Sequence, residues 1–348
     1  MFGARGEKAL TTKGTKVHEV EPEHPIFVTR LFVTSREPDF FSFRMSSMAL
    51  CVKRTAGLVF LLAACALALA QDPPAPLDLK PDATGTVPAE QIRELLRRAE
   101  EKDLENDKRL RDYTYMEREE QHHLDGHGAV KKIESRTSEV LEIYGEQVER
   151  LTAKDDKPLS AGEAKKEDDK IQKIIDKRKN ESEEERRKRL EREEKDREED
   201  RKFVLEVADA FNFRLIGSEA IDGRDAWVFE GEPRPGYEPK NRNAKMLSKF
   251  KGRIWIDKAD SQWVKLDVTA IDTLSIGFVL ARIHKGTNFV VELTRVNDEV
   301  WLPKRVQGHL DARVALFKSY DEDIDLTYRD YKKFRTDTKI TVVGEENR

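Results

Sequence analysis

The stretch GRIWIDKADSQWVKLDV, residues 252–268, predicts two β-strands joined by a turn. In its second half, apolar residues alternate with polar ones, Val264, Leu266 and Val268 against Lys265 and Asp267. Successive side chains of a strand point to opposite faces, so this alternation predicts a strand with one apolar face. We therefore expect a sheet whose two faces differ in character.

The chain on both sides of this stretch predicts more strands of the same kind. Short apolar segments follow one another from Phe213 onward, separated by the turn pairs Asp222-Gly223, Lys285-Gly286 and Asn297-Asp298. Nearer the N-terminus, YTYMEREEQHH (113–123) and AVKKIESRTSEVLEIY (129–144) predict a long hairpin. Serial strands without crossover helices require antiparallel pairing.

Few helices are predicted to cover this sheet. One opens at Pro88 with an apolar stripe, one is short and lies within 241–250, and one ends the charged segment near Phe211. The fold class that we predict is α+β: a strongly curved antiparallel half-barrel of about ten or eleven strands with a helical lid. The domain spans residues 88–343, and residues 344–348 form a tail.

A long charged helical insertion, residues 161–205, interrupts the strands. Between Glu163 and Lys202 charges of both signs dominate and glycine and proline are absent, which favours one solvated helix about 60 Å long. Its apolar residues are too sparse for a coiled-coil seam. The simplest interpretation is an exposed insertion, and a protein partner on the 163–202 helix is the alternative.

The segment KRTAGLVFLLAACALALA, residues 53–70, is typical of a secretory signal: two basic residues, an apolar run and a small-residue cleavage pattern. We interpret residues 48–70 as this signal. Residues 1–47 are then a disordered extension before the true start, since Met45 and Met48 both precede the basic pair. We interpret residues 71–87 as a Pro-rich linker.

The predicted cleavage position determines whether the mature chain contains a cysteine. Both of them, Cys51 and Cys65, lie within it, so a chain cut after Ala70 has no thiol and forms no disulfide. The sequence Leu62-Ala63-Ala64-Cys65 also resembles a bacterial lipoprotein signal, in which Cys65 would be lipidated. We favour simple cleavage, which places the protein in the periplasm, whereas lipidation would anchor it at the outer membrane.

Net charge argues against nucleic acid as a partner. The formal charge is only −4, with acidic and basic residues nearly balanced. Nucleic-acid binding calls for a strong basic excess on one surface.

Two strand pairs resemble a known superfamily. GRIWIDKADSQWVKLDV, with its WID strand, and IDGRDAWVFEGEPRPG, residues 221–236, are similar to consecutive strand pairs of the periplasmic lipoprotein-carrier and outer-membrane lipoprotein-sorting proteins, the Lol-type half-barrels. The resemblance covers roughly residues 215–334. It implies a concave cavity that holds acyl chains during transit through the cell envelope, with no cofactor.

Ten residues are candidates for the apolar wall of such a cavity. They are Trp227, Phe229, Ile254, Ile256, Val264, Leu266, Val268, Phe289, Val291 and Leu293. The expected ligand is a lipid or lipoprotein acyl chain, which gains about 0.8 kcal/mol for each methylene removed from water. The alternative is a periplasmic interaction protein with a filled barrel.

Catalytic motifs are missing from the sequence. It has no nucleophile elbow, phosphate-binding glycine loop or zinc-binding His-Glu-x-x-His helix, so we expect no enzyme and nominate no catalytic residue. His123, Asp125 and His127 surround the first hairpin turn, but this turn is polar, and we expect it to be solvent-exposed and to hold no metal.

A basic segment follows the prolines at 233–239. Lys240, Arg242, Lys245 and Lys249 accompany Met246, Leu247 and Phe250, which predicts a short amphipathic helix. Such a helix is able to touch a membrane surface or a lipid headgroup. The simpler interpretation is a rim helix that caps the barrel with its lysines in solvent.

Overall fold

The computed structural model describes residues 77–144, 146–240, 243–276, 281–314 and 318–334. The predicted signal, Cys65 and Arg242 lie outside these residues, as do residues 1–76 and 335–348. The described chain forms one open, curved antiparallel sheet with a few helices, an α+β fold as predicted. It has thirteen strands, more than the ten or eleven expected.

The sheet is continuous from one edge to the other. Its strands run in the order β4-β3-β2-β1-β13-β12-β11-β8-β7-β6-β5, and the short β9 and β10 extend it beside β12. The strands are β1 (Tyr113–Leu124), β2 (Val130–Ile143), β3 (Glu146–Lys154), β4 (Lys157–Pro158), β5 (Phe211–Ile221), β6 (Arg224–Pro233), β7 (Phe250–Asp257), β8 (Trp263–Ala270), β9 (Leu274–Ile276), β10 (Ala281–Ile283), β11 (Asn288–Val296), β12 (Val300–Val314) and β13 (Lys318–Lys333). The predicted hairpin is β1–β2 and is confirmed.

Three α-helices and one 3₁₀ helix accompany the sheet in its described part. They are α1 (Ala89–Leu110), α2 (Ala161–Lys179), α3 (Glu183–Ala210) and the 3₁₀ helix Asn243–Lys249. Pro88 precedes α1 as the sequence predicts, since proline fits the start of a helix. None of these helices combines the length and apolarity needed to cross a bilayer.

The charged insertion is two helices and not the single rod that we predicted. Helix α2 ends at Lys179 and α3 begins at Glu183. The Ser182 side chain accepts a hydrogen bond from the Glu185 backbone, and Glu185 bonds back to Ser182, forming a capping box. This box satisfies the free amides at a helix start, so it stabilises a second helix at this point.

Helices α2 and α3 join the two edges of the sheet. The chain leaves the edge strand β4, passes through both helices and enters β5, the strand at the other edge. Helix α3 lies antiparallel to α1, with ion pairs Arg93–Asp209 at 2.8 Å and Arg201–Glu100 at 3.5 Å. The insertion is therefore part of the domain and not a separate projection.

Both edges of the sheet are protected. The backbone of residues 85–87 forms two hydrogen bonds with β5. The Val87 amide donates to the Phe213 carbonyl oxygen at 3.1 Å, and the Leu215 amide donates to the Gly85 carbonyl oxygen at 2.8 Å. Residues 77–87, the described part of the predicted linker, thus lie against the domain, and Leu77 and Leu79 pack on its core. On β3, the Leu151 amide donates to Glu167 of α2 at 3.3 Å. Such cover prevents pairing with a second chain.

Two glycines allow neighbouring strands to approach closely. A Cβ at Gly308 would lie 2.1 Å from the Asn288 carbonyl oxygen, and one at Gly252 would lie 2.3 Å from that of Asp267. Glycine is common where a sheet bends and backbones come close. We infer that both positions contribute to the curvature of the sheet.

The helices cover one face of the sheet, here named the covered face. Its main core joins α1, the end of α3 and the 3₁₀ helix to strands β5–β7, through Ile92, Leu95, Ala208, Leu247, Phe211, Phe213, Phe229 and Ile256. Phe229 and Ile256 are each only 1% exposed. We call the opposite face the outer face.

A β-bulge changes the faces that the sequence predicts for β8. The register shifts between Trp255 and Ile256, and Trp263 pairs with Ile256 of the covered face. The Trp263 indole donates to Asp103 of α1 at 2.9 Å. Val264 packs instead with Val228 and Trp255 in a cluster of the outer face. The predicted alternation fails here because a bulge adds one residue to the strand.

Candidate functional site

Five aliphatic residues lie side by side across the covered face. Ile254, Leu266, Val291, Val306 and Leu326 are directly paired from β7 through β8, β11 and β12 to β13. We name them the aliphatic row. Directly paired residues share a face, and strands are about 4.8 Å apart, so the row is about 19 Å long.

Part of the row keeps accessible apolar surface on the covered face. Leu266 and Val306 are half-buried, and Val291 and Leu326 are 7% and 6% exposed. Only Ile254 packs against the helix-covered core; the other four belong to none of the four hydrophobic clusters formed by the described residues. The half-buried Leu266 and Val306 are therefore the members of the row whose apolar surface is available for contact.

Charged residues continue the row on the next two strands. Glu119 of β1 pairs with Leu326, and Arg136 of β2 pairs with Glu119. Glu119 is 7% exposed and accepts a hydrogen bond from Gln121 at 2.5 Å. The covered face therefore changes from apolar to polar at β1.

Aromatic and acidic residues lie next to one another beside this boundary. Glu117 and Tyr328 are directly paired across β1 and β13. The Tyr115 ring lies 6.1 Å from the Tyr328 ring and 5.1 Å from the Tyr331 ring. We name Tyr115, Glu117, Glu149, Tyr328 and Tyr331 the tyrosine recess. Tyr328 follows Leu326 by two residues on the same strand face, so the recess adjoins the end of the row.

Burial controls the electrostatics of the recess. It raises the pKa of Glu117 to about 8, and the neighbouring carboxylates Glu149 and Glu119 add to this, whereas Arg136 opposes it. Burial likewise raises the pKa of Tyr115, Tyr328 and Tyr331. Judged by their exposed surface, however, the Glu117 and Tyr328 side chains are only half-buried. The tyrosine rings pack against a hydrophobic cluster that includes Leu110, Val140 and Leu302.

The other end of β1 carries the histidines considered as metal ligands. His123 lies between Glu322, 3.0 Å from Nδ1, and Glu134, 2.9 Å from Nε2. Asp125 accepts hydrogen bonds from the His127 and Ala129 amides and so stabilises the turn. The described residues contain no group of His, Cys, Asp and Glu arranged for a metal ion.

The ten predicted wall residues divide into three groups. Trp227, Phe229, Ile254 and Ile256 belong to the helix-covered core, and Val268 packs beside Phe250 and Leu310 of a second cluster on the same face. Leu266 and Val291 lie in the aliphatic row, and Phe289 pairs with Val268 next to it. Val264 and Leu293 lie in the outer cluster with Trp255, because bulges shift the register of β8 and β11.

The basic segment is held by ion pairs. Lys240 Nζ lies 2.6 Å from Asp209 of α3, and Lys249 pairs with Asp272. Lys245 is exposed. Met246 and Leu247 are buried, so the 3₁₀ helix caps the covered face as the simpler interpretation expects.

Sequence reasoning missed the tyrosine recess and two of the five residues of the row, Val306 and Leu326. Alternation in YTYMERE places Tyr115 and Glu117 on one face, which is a signal for a polar wall. The pairing with Tyr328 has no local signal, since β1 and β13 lie at opposite ends of the described chain. Val306 and Leu326 are surrounded by charged residues, which hides them in a hydropathy pattern.

No family model matches the chain, and no curated protein is significantly similar to it. Solved structures that resemble it include a LolA superfamily protein from Nitrosomonas europaea. The two sequences are 12% identical, the match covers 70% of this chain and 93% of that chain, and the TM-score is 0.26. An outer membrane lipoprotein-sorting protein domain from Vibrio parahaemolyticus has 12% identity, 70% and 95% coverage and a TM-score of 0.28. A DUF1329 family protein from Desulfovibrio piger has 10% identity, 71% and 93% coverage and a TM-score of 0.25.

Two of these three proteins carry the names of the superfamily that the sequence resembles. At such TM-scores the likeness adds nothing to a functional argument, which has to come from the residues of this chain.

Proposed function

We propose that the protein is an exported, non-enzymatic carrier that binds the acyl chain of a lipid or lipoprotein along the aliphatic row. Export is expected from the predicted signal, which places the protein in the periplasm of a bacterial cell envelope. The observation that carries the proposal is the row itself. Two of its members, Leu266 and Val306, present apolar surface on the covered face and lie outside the four hydrophobic clusters of the described residues.

The chemistry of the row suits a hydrocarbon chain. The five aliphatic side chains of the row are in direct register, offer no hydrogen-bonding groups and span about 19 Å. Each methylene that moves from water onto such a surface gains about 0.8 kcal/mol when fully buried. Neither a cofactor nor a catalytic group is needed for this role.

The first experiment looks for bound lipid. The chain from Gln71 onward is purified, extracted with organic solvent and examined by mass spectrometry for co-purified lipid. Displacement of a fluorescent fatty acid measures affinity in parallel. Finding no lipid and no probe binding in the folded protein would leave a scaffold with a filled barrel, the alternative from the sequence.

A matched pair of variants locates the site. Val306→Asp places a charge in the row, whereas Val290→Asp places one on the outer face of the neighbouring strand, at another half-buried valine. A carboxylate against an acyl chain is left desolvated, so we expect the first variant to weaken probe binding about 30-fold or more. Equal effects of the two variants would contradict the proposed site.

A further inference from the structure

We propose that His123 is the proton-dependent link of a bridge between three neighbouring strands, so that one end of the sheet is held more firmly in acid than in alkali. We name Glu134, His123 and Glu322 the histidine bridge; they lie on β2, β1 and β13. The bridge lies at the end of β1 away from the tyrosine recess, and the inference does not depend on the proposed function.

Both ring nitrogens of His123 face carboxylate oxygens. Nδ1 lies 3.0 Å from Glu322 Oε1, and Nε2 lies 2.9 Å from Glu134 Oε2. An ionised carboxylate only accepts hydrogen bonds, and a neutral imidazole has a single N–H to donate. Both contacts are therefore hydrogen bonds only when the ring carries both protons. With one proton removed, one nitrogen would turn its lone pair towards a carboxylate oxygen.

The surroundings of the bridge place the additional proton on the imidazole. Lys132 Nζ lies 2.6 Å from Glu134 Oε1, an ion pair that calls for the carboxylate form. Glu322 is 4% exposed, and its second oxygen, Oε2, is buried with no hydrogen-bond partner among the described residues. No lysine or arginine of the described chain pairs with Glu322, so the His123 imidazolium is its countercharge. A buried carboxylate without a countercharge is strongly disfavoured.

The other described histidines with carboxylate partners need no second proton. His122 Nε2 and His284 Nδ1 each contact one carboxylate at 2.7 Å, and His309 Nδ1 contacts one at 3.0 Å. The second nitrogen of His309 is 3.8 Å from an Asp321 oxygen, which is too far for a hydrogen bond. A neutral ring has the one N–H that each of these contacts requires. Among the described histidines, dependence on a second proton is therefore particular to His123.

Loss of this proton would loosen a defined part of the sheet. His123 pairs directly with Lys132 of β2 and with Glu322 of β13, so the bridge joins side chains of three adjacent strands. Tyr320 and Ile324, on either side of Glu322 on the same strand face, pack against the second cluster of the covered face. In alkali Glu322 keeps a buried charge without its imidazolium. The stabilisation is therefore present in acid and lost as the histidine gives up its proton.

Hydrogen exchange at two pH values tests the inference. The predicted mature chain, from Gln71 onward, is labelled at pH 5.5 and at pH 8.5, which bracket the usual titration of histidine and lie above that of glutamate. After correction for the intrinsic exchange rate, protection in residues 121–124, 130–134 and 320–323 should fall at least about 10-fold at the higher pH. This is the effect expected when a charge-assisted hydrogen bond is lost. Protection in β5, at the far edge of the sheet, should not follow the change.

Two variants should move the result in opposite directions. Glu322→Gln should stay protected at both pH values, because a rotated glutamine amide donates to an unprotonated Nδ1 as well as it accepts from a protonated one. His123→Gln should be poorly protected at both pH values, because its amide offers one donor side and one acceptor side and leaves one carboxylate unbonded. His122→Gln, on the outer face of the same strand, is the control and should keep the pH response of the parent. Circular dichroism checks that each variant is folded.

Nitrogen NMR of the histidine rings gives a direct reading of the bridge. Both ring nitrogens of His123 should carry protons at pH 5.5, and a ring with a single proton there would contradict the inference. Equal protection of the parent at both pH values would overturn it, as would a Glu322→Gln variant that loses protection in alkali as the parent does. None of these measurements uses a lipid, so the proposed function stands or falls separately.

Discussion

The two halves of the covered face are built from the same kind of strand and differ in what lies on them. In strands β5–β7, aromatic and aliphatic side chains such as Phe229 pack directly against α1 and the end of α3. In β1 and β13, the same face carries Glu117, Glu119 and Tyr328, and most of these side chains stay outside the main core. The first half is a packed apolar core, whereas the second half places polar and ionisable groups on the same face.

The comparison also applies to the helices. Helix α3 is held by apolar contacts through Phe203, Val204 and Ala208. Helix α2 buries one apolar residue, Ile171, and is also held to β3 by charged groups. Lys154 Nζ lies 2.8 Å from Glu163, and Lys170 Nζ lies 3.0 Å from the Glu149 carbonyl oxygen. Salt screens exposed charges and strengthens apolar burial, so the two attachments should respond differently to ionic strength.

The largest expected effect on the free energy of unfolding comes from truncating a core residue, and a residue of the row serves as the comparison. Phe229→Ala should lower the free energy of unfolding by about 3–5 kcal/mol, because it removes a ring from a packed core and leaves a cavity. Leu326→Ala should cost about 2 kcal/mol, at the low end for such a change, since Leu326 joins no packed cluster. Urea denaturation of both variants measures the difference. Equal costs would show that the row is packed as tightly as the core.

The next effect tests the curvature that shapes both halves. Gly308→Ala should cost about 1–3 kcal/mol, because the new methyl group overlaps the Asn288 backbone of the adjacent strand. Gly126→Ala, in the open β1–β2 turn, is the control and should stay within about 0.5 kcal/mol of the parent. Melting temperatures check both variants. A neutral Gly308→Ala would mean that the strands are able to separate there at little cost.

Glu117 gives the polar half a pH dependence of its own. Its pKa rises from 4.5 to about 8 on folding, so the folded state binds the proton more tightly than the unfolded state. Its contribution to stability is present below pH 4.5 and is lost as pH rises towards 8. Discounted for residual exposure, the loss should be about 1–2 kcal/mol.

Urea denaturation at pH 5 and pH 8 measures this loss. In Glu117→Gln the dependence due to this group should vanish, so the parent should lose about 1–2 kcal/mol more than the variant over the same interval. Identical pH profiles of the parent and the variant would show that Glu117 titrates normally and that the recess is open to water.

The smallest expected effect concerns the attachment of α2. Lys170→Ala should change global stability by less than about 1 kcal/mol, as is usual for exposed charged contacts. Hydrogen exchange should nevertheless become faster in α2, and 0.5 M salt should have the same effect in the parent protein. Exchange in the last turns of α3 should not change. If hydrogen exchange became equally faster in both helices, α2 and α3 would open as one unit.

The sequence predicted what depends on local pattern. Alternation identified the apolar strands, turn pairs identified the hairpins, and Pro88 marked the start of α1. The break between α2 and α3 also had a local signal, Ser182 followed by Glu185, and the even charge distribution concealed it.

What the sequence could not predict depends on contacts between distant segments. Alternation assigned Val264 to the apolar wall, but a bulge opposite Trp255 moved it to the outer cluster. The tyrosine recess needs β1 beside β13, a pairing that no local pattern specifies. Bulges and long-range pairing are set by the packing of the whole sheet, so the candidate site was only partly predictable.

The pairing of Tyr113 with Lys333 has a consequence for how the protein folds. The first long strand finds its central neighbour only after the last strand has been made, so β1 and β12 each expose an unpaired edge until then. Proteins dominated by such distant contacts fold slowly, in milliseconds to seconds, and their intermediates are prone to aggregate. The sheet therefore becomes continuous only when the last strand, β13, is in place between β1 and β12.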